Sequence, residues 1–165
     1  MHARLSSAAI VILALSVLGG TATVASAGAR PKDGVWDMTP KNSDVLASGS
    51  VTVKGTKALH IRGQLAGTDP TTCMQGKSFS ISGSLPIVQV SYGHHHTRWY
   101  IASGVGAQEV QSADIRLTIG GTVQRNATMV ASFPGSYGQT EGFIGWGDSG
   151  SGNQSCGFGF VLKRH

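Results

Sequence analysis

His94, His95 and His96 form the run of side chains best suited to bind a metal. On an extended segment, residues two apart project from one face, so His94 and His96 make a His-x-His pair, a common start for a zinc or copper site. A tetrahedral site needs further ligands, and the sequence offers His60, His165 and scattered carboxylates without bringing any of them near. Tyr92-Gly93 before the run and Thr97 after it are turn chemistry, which reads as three histidines on an exposed hairpin tip. A metal-binding protein or small metal-dependent hydrolase centred on His94 and His96, with zinc or copper, is therefore the alternative reading. The main reading carries no cofactor.

Aromatic side chains offer a second chemistry, because sugars stack on Trp and Tyr faces while basic or amide groups bond their hydroxyls. Trp36, Trp99, Tyr100, Tyr137 and Trp146 are the candidates, with Trp99, Tyr100 and Trp146 singled out for ligand binding. Trp99 and Tyr100 are neighbours on one extended segment, face opposite ways, and so at least one belongs to the core. Trp36 and Trp146, near the two ends of the chain, suit the capping of a β-domain.

Gly147-Asp148-Ser149-Gly150 resembles the nucleophile motif of chymotrypsin-like serine proteases, and His60, Asp114 and Ser149 fall in that family's chain order. The resemblance stops there. That family surrounds its histidine with Ala-His-Cys, where this chain has Leu59-His60-Ile61, and it needs several strands after the serine that this chain is too short to supply. Gly145 to Gly152 reads more simply as a Gly/Ser loop between the last two strands. The chain has no suggestive carboxylate pair, no Cys-His nucleophile and no phosphate-cradling glycine loop before a helix, so no catalytic residue is assigned.

The compartment is read from the first 27 residues. His2 and Arg4 give a weakly basic start, Ala8 to Leu18 is an apolar run too short to span a bilayer, and Ala25-Ser26-Ala27 is a small-residue cleavage site. This is the pattern of a secretory signal peptide cleaved near Ala27, followed by a single secreted domain over 28–165. In an oxidising compartment the two cysteines, Cys73 and Cys156, are expected to form one disulfide. Neither has the C-x-x-C spacing of a redox pair. No second apolar run of membrane length follows. Asn126-Ala127-Thr128 and Asn153-Gln154-Ser155 match the glycosylation sequon, but the Ala- and Val-rich leader reads as bacterial, which leaves them silent.

Thirteen Lys and Arg stand against eight Asp and Glu, a net +5 that falls by one when Arg4 leaves with the signal. The bases are scattered without a run or interleaved aromatics, which argues against nucleic acid as a partner.

The elements that must position these residues are strands. Val51 and Val53, then Leu59, Ile61 and Leu65, alternate with polar residues around a Lys54-Gly55-Thr56-Lys57 turn and describe a hairpin. Phe79 and Ile81 open another strand, Pro86 marks an edge or a break, and Ile87 to Tyr92 and Arg98 to Ser103 are extended. Ile115, Leu117 and Ile119 share a face, closed by Gly120-Gly121. Met129, Ala131 and Phe133 share another, as do Cys156, Phe158, Phe160 and Leu162. Gly28 to Lys32 reads as a loose leader. Short strands, turns at regular spacing and 24 glycines predict an antiparallel β-sandwich, with a partly closed small barrel as the alternative.

The layout resembles small exported bacterial β-sandwich proteins of unknown function. The resemblance rests on Gly34-Val35-Trp36, the Cys73 loop, Ser78 to Ile81, and a closing Cys-Gly-Phe strand ending in Lys163-Arg164. It supports the fold and implies no activity, since a sandwich hosts many unrelated roles. The expected function is a secreted, non-enzymatic β-sandwich that binds a protein or glycan at the cell surface or in the extracellular space. Inhibition of a secreted protease is a further alternative, because such inhibitors are also small, basic and stapled.

Overall fold

The computed structural model describes residues 28–41, 45–67, 76–92, 96–106, 109–134, 141–147 and 156–165. Among them the chain is all antiparallel β-structure, in fourteen strands. These are β1 (Gly34–Pro40), β2 (Leu46–Lys54), β3 (Lys57–Leu65), β4 (Ser78–Ser82), β5 (Leu85–Tyr92), β6 (His96–Ile101) and β7 (Gly104–Val105) in the first part of the chain. β8 (Val110–Gln111), β9 (Ala113–Asp114), β10 (Arg116–Ile119), β11 (Thr122–Val123), β12 (Thr128–Ser132), β13 (Gly142–Trp146) and β14 (Cys156–Arg164) follow.

Eight of them close into a barrel, running β1-β2-β3-β5-β6-β12-β13-β14 and back to β1. The expected sandwich is therefore corrected to its alternative, a barrel, and the ring is fully closed. Alternation predicts only that each strand has one buried face, which both architectures satisfy; the difference lies in whether the sheet edges find each other. Here Lys57 and Ala58 of β3 pair with Pro86 and Leu85 of β5. The Ile87 amide donates to the Thr56 carbonyl at 2.8 Å beside that junction. Closure gives each of these strands a partner on both sides over at least part of its length.

Turn chemistry acts where the sequence placed it. Gly55, at φ 60°, is the first of the two turn residues between Lys54 and Lys57, and Gly120 and Gly121 take φ 55° and 86° between β10 and β11. Both are tight hairpin turns whose backbone requires the left-handed region.

The β2–β3 hairpin carries one departure. Ser50 pairs with Arg62 and Thr52 with Leu59, so Val51 alone opposes both His60 and Ile61, and His60 sits at φ 47°. This β-bulge shifts the alternation by one residue. Ala58 turns into the core in place of Leu59, which is only half-buried, while Ile61 and Leu65 stay inside as expected. The bulge lies where β3 exchanges partners. Residues 57–58 pair with β5, and residues 61–64 pair instead with β4, from which β10 and β11 extend as a flap.

An eight-stranded barrel is just wide enough for its own side chains to fill, and aromatic rings fill this one. Phe158 and Phe160 of β14 are buried, with ring centroids 6.1 Å apart. Phe158 also meets Trp146 at 6.2 Å and Phe79 of the flap at 5.4 Å. Met129, Ala131, Phe133, Leu117 and Ile119 are all buried, as their alternation required. Trp36 closes the core against Phe133, edge to face at 5.1 Å, and its indole donates to the Lys32 carbonyl. The segment from Gly28 to Lys32 is not the loose leader expected. Pro31 is buried, and the Trp99 indole donates to the Gly28 carbonyl at 2.8 Å.

Gly63 shows how tightly the flap is seated. A Cβ there would fall inside contact distance of the Ser48 carbonyl oxygen and the Phe79 ring. Gly63→Ala should therefore cost about 1–3 kcal/mol, the usual range for overpacking. A urea melt that leaves the midpoint of unfolding unmoved would contradict this seating.

Candidate functional site

The barrel's outer face across β6, β12 and β13 gathers the side chains best suited to hold a ligand. Because Trp99 and Ile101 turn inward on β6, Arg98 and Tyr100 turn outward. On β12, Met129 and Ala131 are buried, which sends Val130 and Ser132 to the outer face. Register brings these positions side by side, with Ser132 opposite Tyr100 and Val130 opposite Phe143. Arg98, Tyr100, Val130, Ser132 and Glu141 line an open cavity of ≈ 520 Å³.

Two fixed contacts set its rim. The Ser132 hydroxyl donates to the Glu141 carbonyl at 3.1 Å and accepts from the Glu141 amide at 2.9 Å, clamping the approach to β13 onto β12. The Glu141 carboxylate pairs with the Lys41 ammonium. Lys41 is itself held by its amide, which donates to the Gly159 carbonyl at 3.1 Å.

On the same outer face, opposite Val130 in the β12–β13 register, Phe143 is 48% exposed, although it is one of the chain's largest apolar side chains. Its ring tip occupies the space that Cβ atoms at Gly145 and Gly157 would need. Gly145 on β13 and Gly157 on β14 are thus a seat for an aromatic ring. The sequence reading missed Phe143, though a signal was present: in Gly142-Phe143-Ile144-Gly145-Trp146, burial of Ile144 and Trp146 forces Phe143 outward.

The other aromatic candidates lie elsewhere. Trp146 is 6% exposed, stacks edge-on against Phe158 and offers no face to a ligand, so its expected binding role is corrected to packing. Trp99 packs against the core and spends its N–H on Gly28, which makes it the inward member of the Trp99-Tyr100 pair. Tyr100 keeps a place at the cavity.

His94 and Tyr137 lie outside the described residues, and of His96 only the backbone is described, pairing with Tyr92. His60 is exposed on its bulge, and the His165 Nδ1 lies 3.1 Å from the Asp37 carboxylate. Among the described residues no three His, Cys, Asp or Glu side chains gather as metal ligands. Asp114 is exposed on β9, while Asp148 and Ser149 lie outside the described residues. Asn126 occupies a left-handed turn position at φ 48°, and Asn153 lies outside the described residues. Cys156 faces the core at the start of β14, and Cys73 falls outside the described residues. Among the described residues no helix is long and apolar enough to cross a membrane.

No protein-family model, curated protein or solved structure matches this chain.

The outer face therefore stands on its own chemistry. Phe143 and Tyr100 supply aromatic surface, Arg98 supplies hydrogen-bond donors, and Glu141 supplies acceptors. Such a surface can hold a ring with an apolar C–H side and a hydroxylated rim.

Proposed function

We propose that this protein is exported by its leader, stapled by a Cys73–Cys156 disulfide, and acts outside the cell as a non-enzymatic β-barrel that binds a glycan. The observation that carries this reading is Phe143, an exposed aromatic seated on two glycines on the same outer face as the cavity of Arg98, Tyr100, Ser132 and Glu141, opposite the Val130 that lines it. The exposed ring presents a rigid apolar face on which the C–H side of a sugar can stack. The disulfide reading is supported by the inward position of Cys156 and by the leader, which directs the chain to an oxidising compartment.

The test is retention of the secreted protein on a glycan array and on insoluble cell-wall polysaccharide. Phe143→Ala should weaken binding about fivefold, since aromatic contacts contribute on the order of 1 kcal/mol. The melting temperature should stay within a few degrees, because Phe143 lies outside the core. Absence of any glycan retention, or retention untouched in both Phe143→Ala and Tyr100→Ala, would overturn the proposal.

A further inference from the structure

A second open groove lies elsewhere on the barrel's outer surface, where the flap leaves the ring. Strand pairing assembles it in two rows. Ser50 lies opposite Arg62, Arg62 opposite Ser80 and Ser80 opposite Thr118, while Ser48 lies opposite Gln64 and Gln64 opposite Ser78. All of these side chains line one open groove of ≈ 540 Å³, with Phe79 and the backbone of Gly49 and Gly63 also contributing to its wall.

Its composition is one-sided. Five hydroxyls and one amide surround a single guanidinium, and no Asp or Glu occurs anywhere in β2, β3, β4, β10 or β11. The two arginines of these strands, Arg62 and Arg116, make no ion pair among the described residues, whereas Arg30, Lys41 and His165 each meet a carboxylate. Hydroxyls and amides bond sugar hydroxyls, and an arginine fork without a carboxylate of its own is matched to an oxyanion. Small side chains around the guanidinium leave it room to meet a ligand rather than a neighbour.

The geometry points to a second binding site in this groove, one that takes the acidic units of a carboxylated or sulfated glycan, with the Arg62 guanidinium as the anion contact. The ligand class rests on the glycan reading above; the groove itself rests on separate strands and separate residues.

The test titrates three soluble polymers into the full secreted protein: dextran, dextran sulfate and polygalacturonate. Each is measured at low and at moderate salt, with the wild type, Arg62→Gln, Arg164→Gln and Phe143→Ala. Both acidic polymers, or one of them, should bind at least tenfold tighter than dextran, and the advantage should shrink as salt rises. Arg62→Gln should abolish that advantage and leave dextran affinity unchanged. Arg164→Gln, an exposed arginine on β14, should leave the advantage intact. Phe143→Ala should weaken dextran and leave the Arg62-dependent binding of the acidic polymers in place.

If dextran binds through Phe143 but acidic polymers bind no better, the groove inference fails and the glycan reading stands. If Arg62→Gln and Arg164→Gln lose the advantage equally, overall positive charge is responsible and the groove inference fails. If no polymer binds, both proposals fall.

Discussion

Replacing Phe158 with alanine is expected to lower the free energy of unfolding by about 3–5 kcal/mol, the range for removing a fully buried phenylalanine. Phe158 is 2% exposed and touches Trp146 on β13, Phe160 on its own strand and Phe79 on the flap. One ring thus joins the barrel wall to the strands that branch from it. Neither Trp146 nor Phe160 can swing into the void without abandoning its own buried position, so most of the cavity should persist. Against a typical total stability of about 5–15 kcal/mol, the loss would be a large fraction of what holds the fold. Urea unfolding followed by tryptophan fluorescence measures it directly. A loss below about 1 kcal/mol would mean that this ring does not fill the barrel, because a well-packed interior cannot lose a phenyl group so cheaply.

The second large effect concerns the proposed disulfide. Cys73→Ser should lower stability by about 4–5 kcal/mol, because the bridge would close a loop of about 80 residues in the unfolded chain. The serine falls at residue 73 and leaves Cys156 in place, where a thiol packs as a small apolar group among the aromatics of β14. The destabilisation would report the lost crosslink. Reducing agent should shift the unfolding midpoint of the wild type and leave Cys73→Ser unmoved. An equal midpoint for wild type with and without reductant would remove the bridge from this account.

Local pattern made much of the fold legible. Met129, Ala131 and Phe133, and likewise Cys156, Phe158, Phe160 and Leu162, alternate with a period of two and are all buried, because a strand has only two faces and the core takes the apolar one. Gly55 and Gly120-Gly121 marked tight turns because few other residues adopt that backbone at low cost. The same logic failed at Leu59. One extra residue at His60 moved Ala58 inside, and no local signal announced that β3 changes partner there.

The site was legible only in part. Alternation set Trp99 and Tyr100 on opposite faces without saying which of them turns outward, and Trp146 was read as a platform when its place beside Phe158 makes it core. Phe143 was overlooked because its seat is completed by Gly157 of β14, which meets it only across the β13–β14 pairing. The Arg62 groove depends on four strands drawn from residues 46 to 119, and neither row of side chains is visible along the chain.

The amino-acid sequence by itself determined an all-β antiparallel domain, the inward face of most strands and the positions of its tight turns. Each of these follows from interactions within a few residues. Only the tertiary structure decided that the sheet closes into a barrel, that β3 is shared between β5 and the flap, and which outward side chains become neighbours. Those are choices among pairings distant in the chain, and alternation is the same whichever partner a strand takes.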